Sequence, residues 1–274
     1  MSTLPEYVLG MVPDPDEVRR LEQQHEAWRR QTERVWDLAG IGEGQTVVDL
    51  GCGPGFTAVD LARRVGESGR VVAIDASTAT AGHVREYAAR QGLSNIEVVE
   101  GFEAETDLSR WAPSAVFARW FYWFVPDAEA SVERVAAALP AGGTFAVMDY
   151  CNYHGIGTEP ASPLFQKVFR AVADSVADAG GSLDIAGRLP ALFRASGLTV
   201  TAVEPLSQVA SPGSPVWRWL STFQRLYLPA LVEKGYLTRS ECDEHLAWWA
   251  SREQEPSTLF FAPPILGVVG TRPG

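Results

Sequence analysis

Val47-Val48-Asp49-Leu50-Gly51-Cys52-Gly53-Pro54-Gly55-Phe56 is the stretch that decides the fold. Residues 46–50 form a short β-branched, apolar run of strand character. It stops at glycines, which admit positive φ and let the backbone approach a ligand closely. Helical spacing takes over at 56–65, so the glycines make a strand-to-helix turn whose helix offers free N–H groups to an anion or carboxylate. Further out, strands are predicted at 70–75, 96–100, 115–120 and 144–149, with helices at 78–91 and 128–139, the latter ending at Pro140-Ala141-Gly142-Gly143. Upstream, Val18, Leu21, Ala27, Trp28, Val35 and Leu38 recur at roughly helical spacing, and Gly40 is a stop. Strands alternating with helices imply a mostly parallel sheet covered on both faces.

After Asp149 the alternation breaks. A loop at 150–162 and a helix at 164–179 precede a helix at 185–196 and a strand at 198–203. A second interruption, 211–255, is helical and rich in Trp and Tyr, and a last strand is predicted at 265–270. The expectation is an α/β fold: a doubly wound, mostly parallel seven-stranded sheet with an N-terminal helical lid and helical cap insertions. One domain spans 1–274, with the lid at 1–40, a core at 41–150, caps at 151–184 and 211–256, and the rest of the core at 185–210 and 257–274.

In an open parallel sheet, ligands bind beyond the carboxyl ends of the strands where strand order reverses, which directs attention to the first loop. Its spacing is Gly51-x-Gly53-x-Gly55, with Asp49 two residues earlier. A dinucleotide pyrophosphate loop would instead read Gly-x-Gly-x-x-Gly. Asp75, at the end of the second strand, is placed to accept hydrogen bonds from a ribose or to cap the next helix. Arg119 is a cation at the end of a strand otherwise fit for burial. It demands a partner, either an acidic ligand group or a structural carboxylate.

The block from Asp49 to Gly55 resembles the first motif of class I, Rossmann-like S-adenosylmethionine-dependent methyltransferases of small-molecule type. Val98-Val99-Glu100-Gly101-Phe102-Glu103-Ala104 resembles their adenine-binding segment, with Phe102 where an Asp is usual and the acid one later. Residues 118–127 resemble the fourth strand and its turn, and Leu139 to Gly143 their Leu-x-Pro-Gly-Gly turn. The ordered matches run from about Gln45 to Asp149. Tyr7-Val8-Leu9-Gly10 and Arg20-Leu21-x-x-Gln24 look like the lid of a subgroup. The resemblance implies S-adenosylmethionine as cofactor, with Asp49, Gly51, Cys52, Gly53 and Gly55 around its amino acid end and Tyr7 and Gln24 in the lid that folds over it. It implies Asp75 and Ala76 at the ribose, Phe102 and Glu103 at the adenine, and Arg119 and Trp120 beside the cofactor. No metal is implied.

Composition sets limits. The 274 residues, 46% hydrophobic and 21% charged, bury a substantial core, and the formal charge of −11 argues against nucleic acid and against an anionic membrane surface. Cationic pairs such as Arg19-Arg20, Arg29-Arg30 and Arg63-Arg64 read as solvated helix faces. Cys52, Cys151 and Cys242 have no disulfide or zinc spacing, no signal-like start is visible, and no run of about 18 apolar residues occurs. A cytoplasmic protein with a small-molecule substrate is expected; a homodimer is compatible with these features.

Methyl transfer is an in-line displacement, so proximity and orientation do most of the work. Where the acceptor needs a base, His154 is the candidate, its unperturbed pKa being near neutrality, with Tyr153 beside it and Arg119 as a further catalytic candidate. His25, His83 and His245 are read as surface or packing residues. Trp217, Trp219, Phe223, Tyr227, Tyr236, Trp248 and Trp249 suggest an apolar pocket for a bulky aromatic or polycyclic molecule, with O or N as acceptor atom. Two rival readings stand beside this one: the same fold and cofactor used for a non-methylation reaction such as cyclisation, and an NAD-dependent oxidoreductase.

Overall fold

A computed structural model describes residues 14–274. Helix α1 (Pro15–Leu38) starts on Asp14, whose carboxylate accepts from the Asp16 N–H, with Pro15 in the first turn where its missing donor costs nothing. Strand β1 (Thr46–Leu50) and helix α2 (Phe56–Val65) flank the glycine turn; β2 (Arg70–Asp75), α3 (Thr78–Arg90) and β3 (Ile96–Glu100) follow. Then come β4 (Ala115–Arg119), α4 (Ala128–Ala138), β5 (Thr144–Tyr150), β6 (Gly157–Glu159), α5 (Pro163–Asp178), α6 (Leu189–Ala195), β7 (Thr199–Pro205), β8 (Val209–Ala210), α7 (Pro215–Glu233), α8 (Arg239–Arg252), β9 (Leu259–Phe261) and β10 (Ile265–Thr271).

The main sheet has seven strands in the order β3-β2-β1-β4-β5-β10-β7. β1 to β5 pair in parallel, and β10 runs antiparallel to both β5 and β7. Strand order reverses between β1 and β4, which opens the crevice. Alternation along the strands sends Val47, Ala115 and Phe117 to a layer with Trp28, Val35 and Trp36 of α1, and sends Val48, Leu50, Val116 and Ala118 to a layer with α4 and α6. Asp49 and Arg119 lie two residues beyond Val47 and Phe117, on the α1 side of neighbouring strands.

The small antiparallel sheet β6-β9-β8 was not anticipated. Its strands are two or three residues long, too short for an alternating pattern to register. The 185–196 helix is also broken, into a 3₁₀ turn Ile185–Gly187 and α6, because Pro190 lacks the N–H needed to continue a helix but fits the first turn of a new one. Among the described residues, no helix is long and apolar enough to cross a membrane.

Candidate functional site

A cleft of about 540 Å³ lies beyond the carboxyl ends of the parallel strands, walled by the turns after β1, β2, β3, β4 and β5 and by α1, α5 and α7. At its floor is the glycine turn. Gly51, Gly53 and Gly55 have φ of 65°, 51° and 87°, the left-handed region that glycine alone adopts without strain. A side chain at Gly51 would collide with the Phe121 ring, whereas a Cβ at Gly53 would meet nothing within 4 Å. Gly53 therefore keeps bare backbone facing the cleft. Cys52 is buried, and burial together with the Asp75 and Asp49 charges pushes its thiol well above its ordinary pKa.

Asp49 is 2% exposed and lines the cleft, and its Oδ2 has no hydrogen-bond partner among the described residues. Burial lifts its pKa to about 7, with Arg119 pulling it down and Asp75 pushing it up. A buried carboxylate with one oxygen unpartnered at the edge of a cleft is an acceptor that an ammonium group fits. Asp75 straps the turn in place: Oδ2 accepts from the Gly53 N–H and Oδ1 from the Ser77 N–H, both at 3.0 Å. Burial raises its pKa against those two N–H bonds. It lines the cleft next to Ala76, and each oxygen keeps lone-pair capacity toward a ribose.

Arg119 finds its partners on α1. Nη1 donates to Thr32 Oγ1 at 2.9 Å and Nη2 to His25 Nδ1 at 3.1 Å, while burial lowers its pKa to about 10 against the raising influence of Asp49. Trp120 follows it in a left-handed conformation, φ 49°, which is costly for a bulky residue and stores strain at the crevice. Its ring lies beneath the Arg119 guanidinium and meets Trp28 edge-on, and its Nε1 is buried without a partner among the described residues. Both line the cleft.

The buried face of α1 explains the rest of this wall. Trp28, Val35 and Trp36 anchor its second half on the sheet, and Glu17, Arg20, Gln24 and His25 continue the same stripe in its first half. Arg20 donates to both oxygens of Glu17, Nε to Oε2 at 2.7 Å and Nη2 to Oε1 at 2.6 Å, and to Gln24 Oε1 at 2.8 Å. Glu17, Arg20 and Gln24 all face the cleft. The signal for these residues was present in the sequence: polar side chains at i, i+3, i+7 and i+8 in register with an apolar stripe. Asp149, fully buried at the end of β5, accepts from the Tyr150 N–H at 2.8 Å and the Trp123 N–H at 3.1 Å, fixing the turn after β4.

Other expectations fare differently. Phe102 is 37% exposed at the cleft edge. Glu103 lines the cleft, but both its oxygens are held by Arg134, at 3.2 and 3.0 Å, which occupies the carboxylate assigned to an adenine amino group. His154 does not line the cleft. The 3₁₀ turn Tyr153–Gly155 directs Tyr153 into the cleft and His154 outward, where it lines a separate hollow with Gln166 and Arg170. Tyr153 is buried, and burial drives its phenol well above the ordinary range, so it stays protonated. Tyr7 lies outside the described residues.

The aromatic cap divides in two. Trp217 and Trp249 stack at 3.8 Å and pack with Phe165 and Phe260 as the cap's own core. Trp219, Phe223 and Tyr227 turn to the cleft. There they face Phe169, Val172 and Val176 of α5 and Leu183, and Ser175 Oγ lies 3.0 Å from Tyr227 Oη on this wall. Trp248 and Tyr236 are outside the cleft, Tyr236 donating to Asp178 at 2.7 Å.

Residues 47–143 match a family described as a methyltransferase domain. The chain is 30% identical over 222 residues to trans-aconitate 2-methyltransferase of Azoarcus sp. (strain BH72), covering 78% of each chain. Among solved structures, geranyl diphosphate C-methyltransferase from Streptomyces coelicolor A3(2), in complex with S-adenosyl-L-homocysteine, superposes with a TM-score of 0.58 at 17% identity over 90% of this chain and 77% of that one. The [4+2]-cyclase SpnF does so with a TM-score of 0.54 at 16% identity over 89% and 81%.

Proposed function

Because the chain belongs to the class I S-adenosylmethionine-dependent methyltransferases, we propose that it methylates O or N of a bulky, apolar or aromatic small molecule held between the cofactor end of the cleft and helices α5 and α7. The observation that carries this reading is the continuity of the cleft, from Asp49 and Gly53 at one end to Phe169, Val172, Val176, Leu220, Phe223 and Tyr227 at the other. Bound S-adenosylmethionine supplies a methyl group on a sulfonium. The Asp49 carboxylate takes the ammonium of its amino acid end, and Arg119 turns its remaining N–H groups to the carboxylate. Asp75 accepts from the ribose. Gly53 admits the ligand to the backbone, and the apolar wall excludes water and orients the acceptor.

Among the described residues of the cleft, the groups near the acceptor wall are poised to orient and not to take a proton: the Tyr153 phenol stays protonated and both oxygens of Glu17 are held by Arg20. Rate enhancement then rests on positioning an acceptor that is already nucleophilic. The first half of α1 serves as the lid, and α5, α7 and α8 as the cap. The free thiols Cys52, Cys151 and Cys242 fit a reducing cytoplasm.

The test is incubation with methyl-labelled S-adenosylmethionine and a panel of hydrophobic phenols, carboxylic acids and amines, with cofactor binding followed by calorimetry. Label in an apolar acceptor supports the proposal. Tight S-adenosylhomocysteine binding with no transfer to any acceptor favours the cyclisation-type reading, for which the SpnF superposition supplies only a shared fold. Transfer confined to small polar acids overturns the apolar substrate class.

A further inference from the structure

Three side chains behind Arg119 have no contact with the cleft, yet they decide how Arg119 is presented. His25 is 4% exposed, on the sheet-facing side of α1. Its Nε2 lies 3.0 Å from Asp60 Oδ2 on α2, and its Nδ1 lies 3.1 Å from Arg119 Nη2 on β4. A carboxylate only accepts and a guanidinium only donates. The imidazole between them can satisfy both in one state alone: neutral, with the hydrogen on Nε2 and Nδ1 bare. Thr32 is fixed by the same logic, since its hydroxyl donates to the Trp28 carbonyl at 2.9 Å and is left to accept from Arg119 Nη1.

We propose that Asp60 and His25 form a positioning relay for the cofactor site: Asp60 locks the His25 tautomer, and His25 Nδ1 with Thr32 Oγ1 draws one N–H from each terminal nitrogen of Arg119. The guanidinium is thereby held with its remaining N–H groups free for the cofactor carboxylate, next to Asp49. The relay joins three separate elements, α1, α2 and β4, so the seating of α1 on the sheet and the shape of the cofactor site are one event. This inference rests on the reading of Arg119 as the carboxylate partner.

The charges around the imidazole are consistent with a neutral ring. Arg29 of α1 reaches Asp60 Oδ2 at 3.4 Å and His25 Nε2 at 3.5 Å, Arg63 of α2 reaches Asp60 Oδ1 at 3.1 Å, and Phe56 covers one side of the ring. Two guanidinium groups, Arg29 and Arg63, thus sit on the Asp60 carboxylate, and a third, Arg119, faces the other ring nitrogen. Burial lowers the His25 pKa; the Asp60 hydrogen bond opposes this, and Arg119 and Arg29 add to it. A protonated His25 would point an Nδ1–H at an Arg119 N–H, two donors face to face. Arg119 would then lose its fixed orientation.

The proposal separates the two ring nitrogens, and side-chain amides test them individually. Asparagine places its oxygen where Nδ1 stood, and glutamine places its amide nitrogen where Nε2 stood. S-adenosylhomocysteine affinity, measured by calorimetry on the full chain, is expected to fall about ten-fold in His25→Gln, which keeps the Asp60 bond and loses the acceptor for Arg119, and by no more than about two-fold in His25→Asn. Asp60→Ala, outside the cleft, is expected to weaken binding about five-fold by freeing the tautomer. Independently of any variant, ¹⁵N side-chain NMR of the wild-type chain is expected to show His25 as the neutral Nε2–H form at neutral pH. Equal affinities in His25→Gln and His25→Asn, or an Nδ1–H or doubly protonated His25 in the wild type, overturns the relay. Arg119→Met, expected to lose at least about ten-fold, checks the underlying assignment. Wild-type affinity in that variant overturns the carboxylate seat itself, and the relay with it, whereas a loss there with no difference between the two His25 amides overturns the relay alone.

Discussion

Replacing Asp49 with Asn separates charge from shape at the bottom of the cleft. The two side chains are nearly isosteric, so what changes is a buried carboxylate whose Oδ2 is unpartnered and whose pKa is raised to about 7, by burial first and by Asp75, against Arg119. An ammonium group binds the ionised form. The sign follows directly: as pH falls through 7 the carboxyl takes up a proton, and affinity for S-adenosylhomocysteine falls with it. Between about pH 8 and pH 6 the ionised fraction drops roughly ten-fold, and Kd is expected to rise by the same factor. In Asp49→Asn the charge-assisted bond, worth about 1.5–3 kcal/mol, is gone at every pH. The variant is expected to bind about 10- to 150-fold more weakly at pH 8, with little slope above pH 6. Calorimetric titrations across that range at constant ionic strength read both quantities. An Asp49→Asn protein that binds within about three-fold of wild type at pH 8, or that retains the full wild-type slope, refutes the ammonium seat.

Gly53→Ala combines a backbone cost of roughly 1–2 kcal/mol at φ 51° with a methyl group projecting toward the ligand; S-adenosylhomocysteine affinity is expected to fall at least about ten-fold by calorimetry. Glu103→Gln breaks the bidentate contact with the half-exposed Arg134 and is expected to cost no more than about 1 kcal/mol in chemical denaturation. Because that carboxylate is already engaged, cofactor affinity should stay within about two-fold. Asp149→Asn turns an NH₂ group toward backbone N–H donors inside the core and is expected to cost about 2–4 kcal/mol, a melting temperature lower by about 5–12 °C for a chain of this size.

The sheet and the glycine turn were legible in the sequence because each is encoded locally. β1 is a β-branched run, the turn needs glycine at positive φ, and α2 begins where the glycines end. Arg119 was legible as a cation requiring a partner. Its partners were not, because His25 and Thr32 come from a helix 94 and 87 residues earlier in the chain, and only the packing of α1 on the sheet brings them together. His154 misled for a related reason. A histidine in the right loop is a reasonable base until one knows which way a three-residue turn faces, and here the same turn that buries Tyr153 exposes its neighbour. The tryptophans were correctly seen as a cluster, but composition could not divide Trp217 and Trp249, stacked on each other, from Trp219 at the cleft. The small sheet β6-β9-β8 arises from segments distant in sequence and too brief to carry a period.

The antiparallel strand β10 has a consequence for how the chain assembles as it is made. Strands β1 to β5 find their neighbours among residues 46–150 and pair in the order in which the cofactor crevice needs them. β7 has no such neighbour: in the main sheet it pairs only with β10, which wedges between it and β5. While residues 265–271 are still being synthesised, both β5 and β7 present open hydrogen-bonding edges, and the Phe193 and Leu198 layer behind them lacks Val268. The crevice-forming half therefore has everything it needs to fold early, whereas the half carrying α5 and α7 is completed late, by one strand slotted between two that have waited for it.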